Sequence, residues 1–95
     1  MFDLNRTKEL KKKFKNRELI FGGWASIGQP QIVEAFCLIN KFDFVSIDIE
    51  HGAIDYELCI RLVSTIQGQN KCCLPRIDSH NRSMIKRLLD FGADG

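Results

Sequence analysis

A chain of 95 residues with 44% hydrophobic content has the size and make-up of one small globular domain with a thin core, which sets it apart from a disordered segment. No run of about 18 apolar residues is present to span a membrane, and the charged start MFDLNRTKELKKK is not followed by the apolar core of a signal peptide, so a cytoplasmic protein is expected. The net charge of +2 is mild and implies no membrane-surface partner.

Half of the fourteen basic residues fall between Arg6 and Arg17, where residues 7–16 read as a helix with Leu10 and Phe14 one turn apart among the lysines. Such a helix is expected across one end of the domain. No aromatic stacking motif, zinc-finger spacing or Gly-rich RNA signature accompanies the cluster, so it reads as a solvated face and no nucleic-acid partner is expected. Residues 19–26 then read as a strand, Gly22 and Gly23 allowing another backbone or a ligand to approach and Trp24 lying near its end. Gly28, Gln29 and Pro30 break that strand and open a helix to about residue 41. Its apolar side carries Val33, Phe36, Cys37 and Asn40, widened by Ile32 and Ile39.

The stretch 42–52, FDFVSIDIEHG, changes character halfway. Its first half is β-branched and aromatic, as in a strand buried on both faces, and its second half carries Asp48, Glu50 and His51. Alternation puts Phe44, Ser46, Asp48 and Glu50 on one face and Val45, Ile47 and Ile49 on the other. A greasy face for helices and a face that turns acidic towards its end suit a parallel α/β sheet or barrel, whose reactive groups gather where strands end. A plain polar loop closing the strand accounts for the same residues.

Beyond it, Asp55 is placed to cap a helix, Ile54 to staple onto Cys59, and Leu58, Cys59, Leu62, Val63 and Ile66 repeat with helical spacing up to Gly68. Residues 72–77 read as a third strand in which Pro75 predicts a bulge or an interruption. Asn81 caps a helix bearing Ile85, Leu88 and Leu89, with Gly92 as its stop, and Ala93, Asp94 and Gly95 look like the approach to a fourth strand. Strand and helix thus alternate three times after the first helix, the signature of a parallel sheet with right-handed crossovers. Cys37, Cys59, Cys72 and Cys73 have no CxxC spacing, and Cys72 and Cys73 as strand neighbours face opposite ways, so they read as buried hydrophobes in a reducing compartment.

In such a sheet Trp24 and Ser26, then Asp48, Glu50 and His51, then Arg76 and Asp78 come side by side at the carboxyl ends of three strands. The set supplies a cation for a carboxylate, a base that titrates near neutrality and two acidic groups able to organise a metal-bound water. An ion pair of Arg76 with Asp78 or Asp48 is the structural alternative. A P-loop or dinucleotide fold is disfavoured, since GGWASIG has neither the GxGxxG spacing nor a Lys-Ser/Thr pair.

GGWASIGQP, FDFVSIDIEHGAID, PRIDSHN and IKRLLDFGADG, in this order and spacing, resemble the first part of the HpcH/HpaI family of metal-dependent class II pyruvate aldolases. The resemblance covers nearly the whole chain and rests most on the DxEH motif and the Arg one strand later; GADG alone is weak. It implies the N-terminal part of a TIM (β/α)8 barrel, as one partial domain over residues 1–95. It further implies a lyase that cleaves or forms a 2-keto-3-deoxy or 4-hydroxy-2-oxo acid, to or from pyruvate and an aldehyde, through a metal-bound enolate. Carried over, His51 is the acid/base residue, Arg76 grips the pyruvate carboxylate, Trp24 walls the pocket, and Asp48 and Glu50 bond water on the metal. The cofactor implied is a divalent ion such as Mg2+ or Mn2+, with its Glu and Asp ligands beyond residue 95, and the full-length enzyme is expected to be a homo-oligomer. Pro75 departs from the aliphatic residue more often found there. A barrel of this kind needs about 250 residues, so the chain is expected to be a fragment or truncated product, inactive by itself; the alternative is a non-catalytic α/β module or small-molecule binder.

Overall fold

The computed structural model describes residues 4–39, 41–49, 54–77 and 81–95. The elements follow the order α1 (Leu4–Lys15), β1 (Gly22–Ala25), α2 (Pro30–Cys37), β2 (Phe44–Ile47), α3 (Tyr56–Gly68), β3 (Cys72–Cys73) and α4 (Arg82–Asp90). The strands make one parallel sheet in the order β1-β2-β3, with Trp24 opposite Ser46 and Val45 opposite Cys73. Parallel neighbours need a crossover, and α2 and α3 supply it. Among the described residues, no helix is long and apolar enough to cross a membrane.

The greasy face of β2 behaves as its alternation predicts. Val45 and Ile47 are fully buried and join Val33 and Cys37 of α2 and Cys59, Leu62, Val63 and Ile66 of α3 in one core, with Ile49 partly buried against it. Asp55 caps α3 through Oδ1, which accepts the Leu58 N–H at 2.8 Å, and Ile54 and Cys59 are both buried in that core. α3 ends at Gly68, as its spacing predicts, and the left-handed residue that closes it is Asn70 (φ 59°). The chain closes the helix there because the Lys71 N–H returns to the Ile66 carbonyl; Arg17 and Gly92 end α1 and α4 in the same way.

Several expectations are corrected. α2 stops at Cys37, since the N–H groups of Leu38 and Ile39 bond carbonyls only three residues back and tighten the last turn. Ile32 and Ile39 are about half exposed and do not widen the buried stripe; Asn40 lies outside the described residues. The nearest protein atoms over Gly22 and Gly23 belong to aromatic side chains, not to backbone. A Cβ on Gly22 would overlap the Phe44 ring, and one on Gly23 would lie 2.6 Å from the Phe36 ring, which packs on Phe42 at 4.9 Å. In α1 Leu10 is buried but Phe14 is 57% exposed, and in α4 only Leu88 of the three expected apolar residues is buried.

β3 is shortened to two residues, as Pro75 foreshadows, yet its ladder to β2 continues. The Leu74 N–H donates to Val45 O at 3.1 Å, the Arg76 N–H to Ile47 O at 2.8 Å, and the Ile49 N–H to Arg76 O at 3.0 Å. Leu74 and Arg76 supply the donors on the β2 side, so the N–H that Pro75 lacks is not one this ladder uses. Residues 93–95 then begin to run along the other edge of β3, where the Asp94 N–H donates to Cys73 O at 3.0 Å.

Candidate active site at the carboxyl ends of the strands

The parallel register brings Trp24, Asp48 and Arg76 together. Asp48 follows β2 directly and pairs with Arg76 as a parallel bridge, so both backbones are fixed at the carboxyl end of the sheet. Trp24 opposes Ser46, which makes Asp48 its diagonal neighbour on the same face. The indole Nε1–H donates to Asp48 Oδ2 at 3.3 Å, and the Arg76 Cζ lies 5.5 Å from the indole centroid, within cation–π range. Asp48 is buried at 5% exposure, whereas Trp24 is half exposed and Arg76 exposed. A buried carboxylate thus anchors an aromatic ring that faces solvent together with a guanidinium. Ser26, just past β1, is exposed beside the apolar hollow between β1 and α2. Glu50, His51 and Asp78 lie outside the described residues.

A second polar cluster occupies the opposite, amino end, under α1. The Asp94 carboxylate, fully buried, accepts from Arg6 Nη2 at 3.3 Å, Thr7 Oγ1 at 2.5 Å, Gln67 Nε2 at 3.0 Å and the Cys73 N–H at 2.8 Å. Lys13 Nζ binds Asp43 Oδ1 at 2.6 Å, and Lys71 Nζ donates to Phe42 O at 2.7 Å. A polar cleft of about 300 Å³ lies here, lined in part by Arg6, Glu9, Lys13, Asp43 and Lys71. Its three cations are engaged by the protein itself, so the cleft reads as a structural joint of α1 to the sheet. The basic helix is therefore more than a solvated face: Arg6 and Lys13 are tied down, while Lys8, Lys11, Lys12 and Lys15 are exposed. Sequence reasoning missed Asp94, whose visible signal was only its place at the start of an expected strand.

All four cysteines are free and buried, and burial pushes the thiols of Cys37, Cys59 and Cys73 up, Cys59 to about 11. Cys73 points into the helix-covered core and Cys72 to the other face, where its Sγ donates to Arg6 O at 3.4 Å. Among the described residues no group of three or more His, Cys, Asp or Glu side chains is placed to hold a metal ion. The described residues therefore do not make a metal site by themselves.

No family model matches the chain. It is 30% identical over 89 residues to the hydroxypyruvate/pyruvate aldolase of Paraburkholderia phytofirmans, covering 92% of this chain and 34% of that one. It is 29% identical over 76 residues to the 5-keto-4-deoxy-D-glucarate aldolase of Enterobacter sp. (strain 638), covering 80% and 29%. The crystal structure of an HpcH/HpaI aldolase from Desulfitobacterium hafniense superposes with a TM-score of 0.74 at 30% identity, over 88% of this chain and 32% of that one. The citrate synthase SbnG superposes with a TM-score of 0.77 at 30% identity, over 88% and 34%. The chain spans about a third of the length of these relatives. In its parallel β/α units, and in sequence and fold, the chain is similar to part of the HpcH/HpaI aldolases, a TIM-type barrel.

Proposed function

We propose that the chain supplies the substrate-gripping part of a carbon–carbon lyase that acts on a 2-keto acid, pyruvate in the first instance, with an aldehyde as second substrate or product. The observation that carries this reading is the convergence of Trp24, Asp48 and Arg76 at the carboxyl ends of three adjacent parallel strands, where barrel enzymes place their chemistry. Arg76 is the carboxylate grip, because a guanidinium meets a carboxylate through two parallel N–H bonds. Trp24 walls the pocket. His51 is the proton-transfer group, with Asp48 and Glu50 ordering the water and protons beside it. Neutralising the carboxylate favours removal of a proton from the methyl group beside the keto carbon by keeping two negative charges from accumulating on one small substrate. A divalent ion such as Mg2+ or Mn2+ is the cofactor that the resemblance implies, and it would polarise the keto oxygen; its Glu and Asp ligands are proposed on strands outside this sequence. The assembled enzyme is proposed to be cytoplasmic and homo-oligomeric.

Two experiments test the reading. Pyruvate added to the 95-residue chain should shift the Arg76 and Trp24 side-chain NMR signals saturably, and Arg76→Lys should weaken the effect, because lysine keeps the charge and loses the fork. In a chimera that completes the barrel from a relative, His51→Ala should slow exchange of the pyruvate methyl protons by about a hundredfold to ten-thousandfold, the usual worth of a general base. Unchanged exchange would return residues 48–51 to a polar loop.

A further inference from the structure

β1 and β3 are not neighbours in the sheet, and the strand between them separates their backbones by about 10 Å. Trp24 on β1 nevertheless lies against Arg76 beyond β3, with the guanidinium 5.5 Å from the ring centroid. A long side chain has to cross β2 for this contact to form. The residue opposite Trp24 on β2 is Ser46, small and buried, which leaves the crossing open. The indole is then held in its crossing pose from below, since its Nε1–H donates to Asp48 Oδ2 at 3.3 Å and Asp48 is itself buried and bonded through its own N–H to Ala25 O. The contact bears on where the Arg76 side chain lies. The Arg76 backbone is fixed by the ladder, but the guanidinium sits at the end of a rotamer-rich side chain and is exposed. A cation–π contact of this kind acts through charge and needs no hydrogen bond from the guanidinium.

We propose that Trp24 is a positioning residue: tethered by Asp48 across Ser46, its indole holds the Arg76 guanidinium at the mouth of the site, where it receives a keto-acid carboxylate. The role rests on the reading of Arg76 as the carboxylate grip. It differs from a pocket wall, because a wall needs only bulk, whereas a stacking platform needs a π-face and a fixed ring angle.

The test is side-chain NMR on the isotopically labelled 95-residue chain, whose only tryptophan is Trp24. In the wild type the Arg76 Hδ signals are expected upfield through the ring current of the indole. Trp24→Phe should keep part of that shift and Trp24→Leu none, and Asp48→Asn should move the Trp24 Nε1–H signal and reduce the Arg76 shift. On titration with pyruvate, Trp24→Leu should raise Kd about two- to fivefold, the fold-change that corresponds to a cation–π contact at an exposed site, with the thermal midpoint unchanged. If the Leu variant does not fold, Trp24→Phe is read in its place against the wild type. Wild-type Arg76 signals without a ring-current shift, or variants lacking the indole that bind pyruvate as tightly as the wild type, overturn the positioning role and leave the grip of Arg76 standing. An Arg76→Leu variant that binds pyruvate undiminished, or a wild-type chain whose Arg76 does not respond to pyruvate, overturns the grip and the positioning role with it.

Discussion

Removing the Asp94 carboxylate should cost this domain a large share of its stability. The side chain is fully buried and accepts from Arg6, Thr7, Gln67 and the Cys73 backbone, which joins α1, α3 and β3 at one point. Arg6 is 6% exposed at its side chain and its Nε has no hydrogen-bond partner, so Asp94 is the charge that compensates it. Breaking a buried pair by deleting one partner costs about 3–5 kcal/mol, because the other charge stays buried and uncompensated. A domain of this length holds roughly 5–14 kcal/mol in total at the usual stability per residue. Asp94→Ala should therefore remove about a fifth of it or more, lowering the urea midpoint in unfolding followed by Trp24 fluorescence and circular dichroism. Thr7→Ala deletes one donor and should cost about 1.5–3 kcal/mol, the worth of a hydrogen bond to a charged group, which keeps the test readable if Asp94→Ala does not fold. Arg6→Met should soften the effect of Asp94→Ala in a double-mutant cycle, since no charge is then stranded. Loss of less than about 0.5 kcal/mol in Asp94→Ala, the range of an ordinary surface change, would refute the hub.

Four further outcomes are expected. Partial burial pushes the Asp43 carboxyl up, but the Lys13 ammonium, the Phe21 N–H and the nearby Lys71 outweigh it and hold the group below its ordinary 3.8. A carboxyl depressed in the fold adds stability above its ordinary pKa and loses it as pH falls through the depressed value. Lys13→Met should therefore flatten the acid limb of stability against pH, measured by circular dichroism; an unchanged limb would discount the pair. Lys11→Glu and Lys12→Glu should each stay within about 0.5 kcal/mol of wild type, as exposed substitutions do, whereas Lys13→Glu sets like charges together and destabilises. The buried thiols should resist a disulfide reagent at pH 8 in the native chain and react on addition of urea, and rapid native labelling of Cys59 or Cys73 would contradict their burial. Exposed Phe21, Ile27, Ile32, Leu38, Leu89 and Phe91 should drive association at high concentration, read by sedimentation velocity; a monomer throughout the accessible range would argue against it.

The order of elements and their faces were legible in the sequence because they depend on local chemistry. The alternation of 42–49 fixes which side of β2 is greasy, and Asp55 and Asn81 cap their helices by bonding an N–H three residues on. Which neighbour each face would meet is not a local property. Phe14, Ile32 and Leu89 obey helical spacing and still end about half exposed or more, because periodicity states a preference for burial and cannot supply the surface that would cover them. The candidate site divides in the same way. Arg76, Asp48 and Trp24 were visible as strand-end residues, since parallel strands must finish on one side; their contacts depended on a register that pairs Trp24 with Ser46 and Asp48 with Arg76. A shift of one residue would have turned every one of those side chains to the other face. Asp94 depended most on tertiary structure. Its partners Arg6 and Thr7 lie 88 and 87 residues away in sequence, and only closure of the chain onto β3 brings them within hydrogen-bonding distance of its carboxylate.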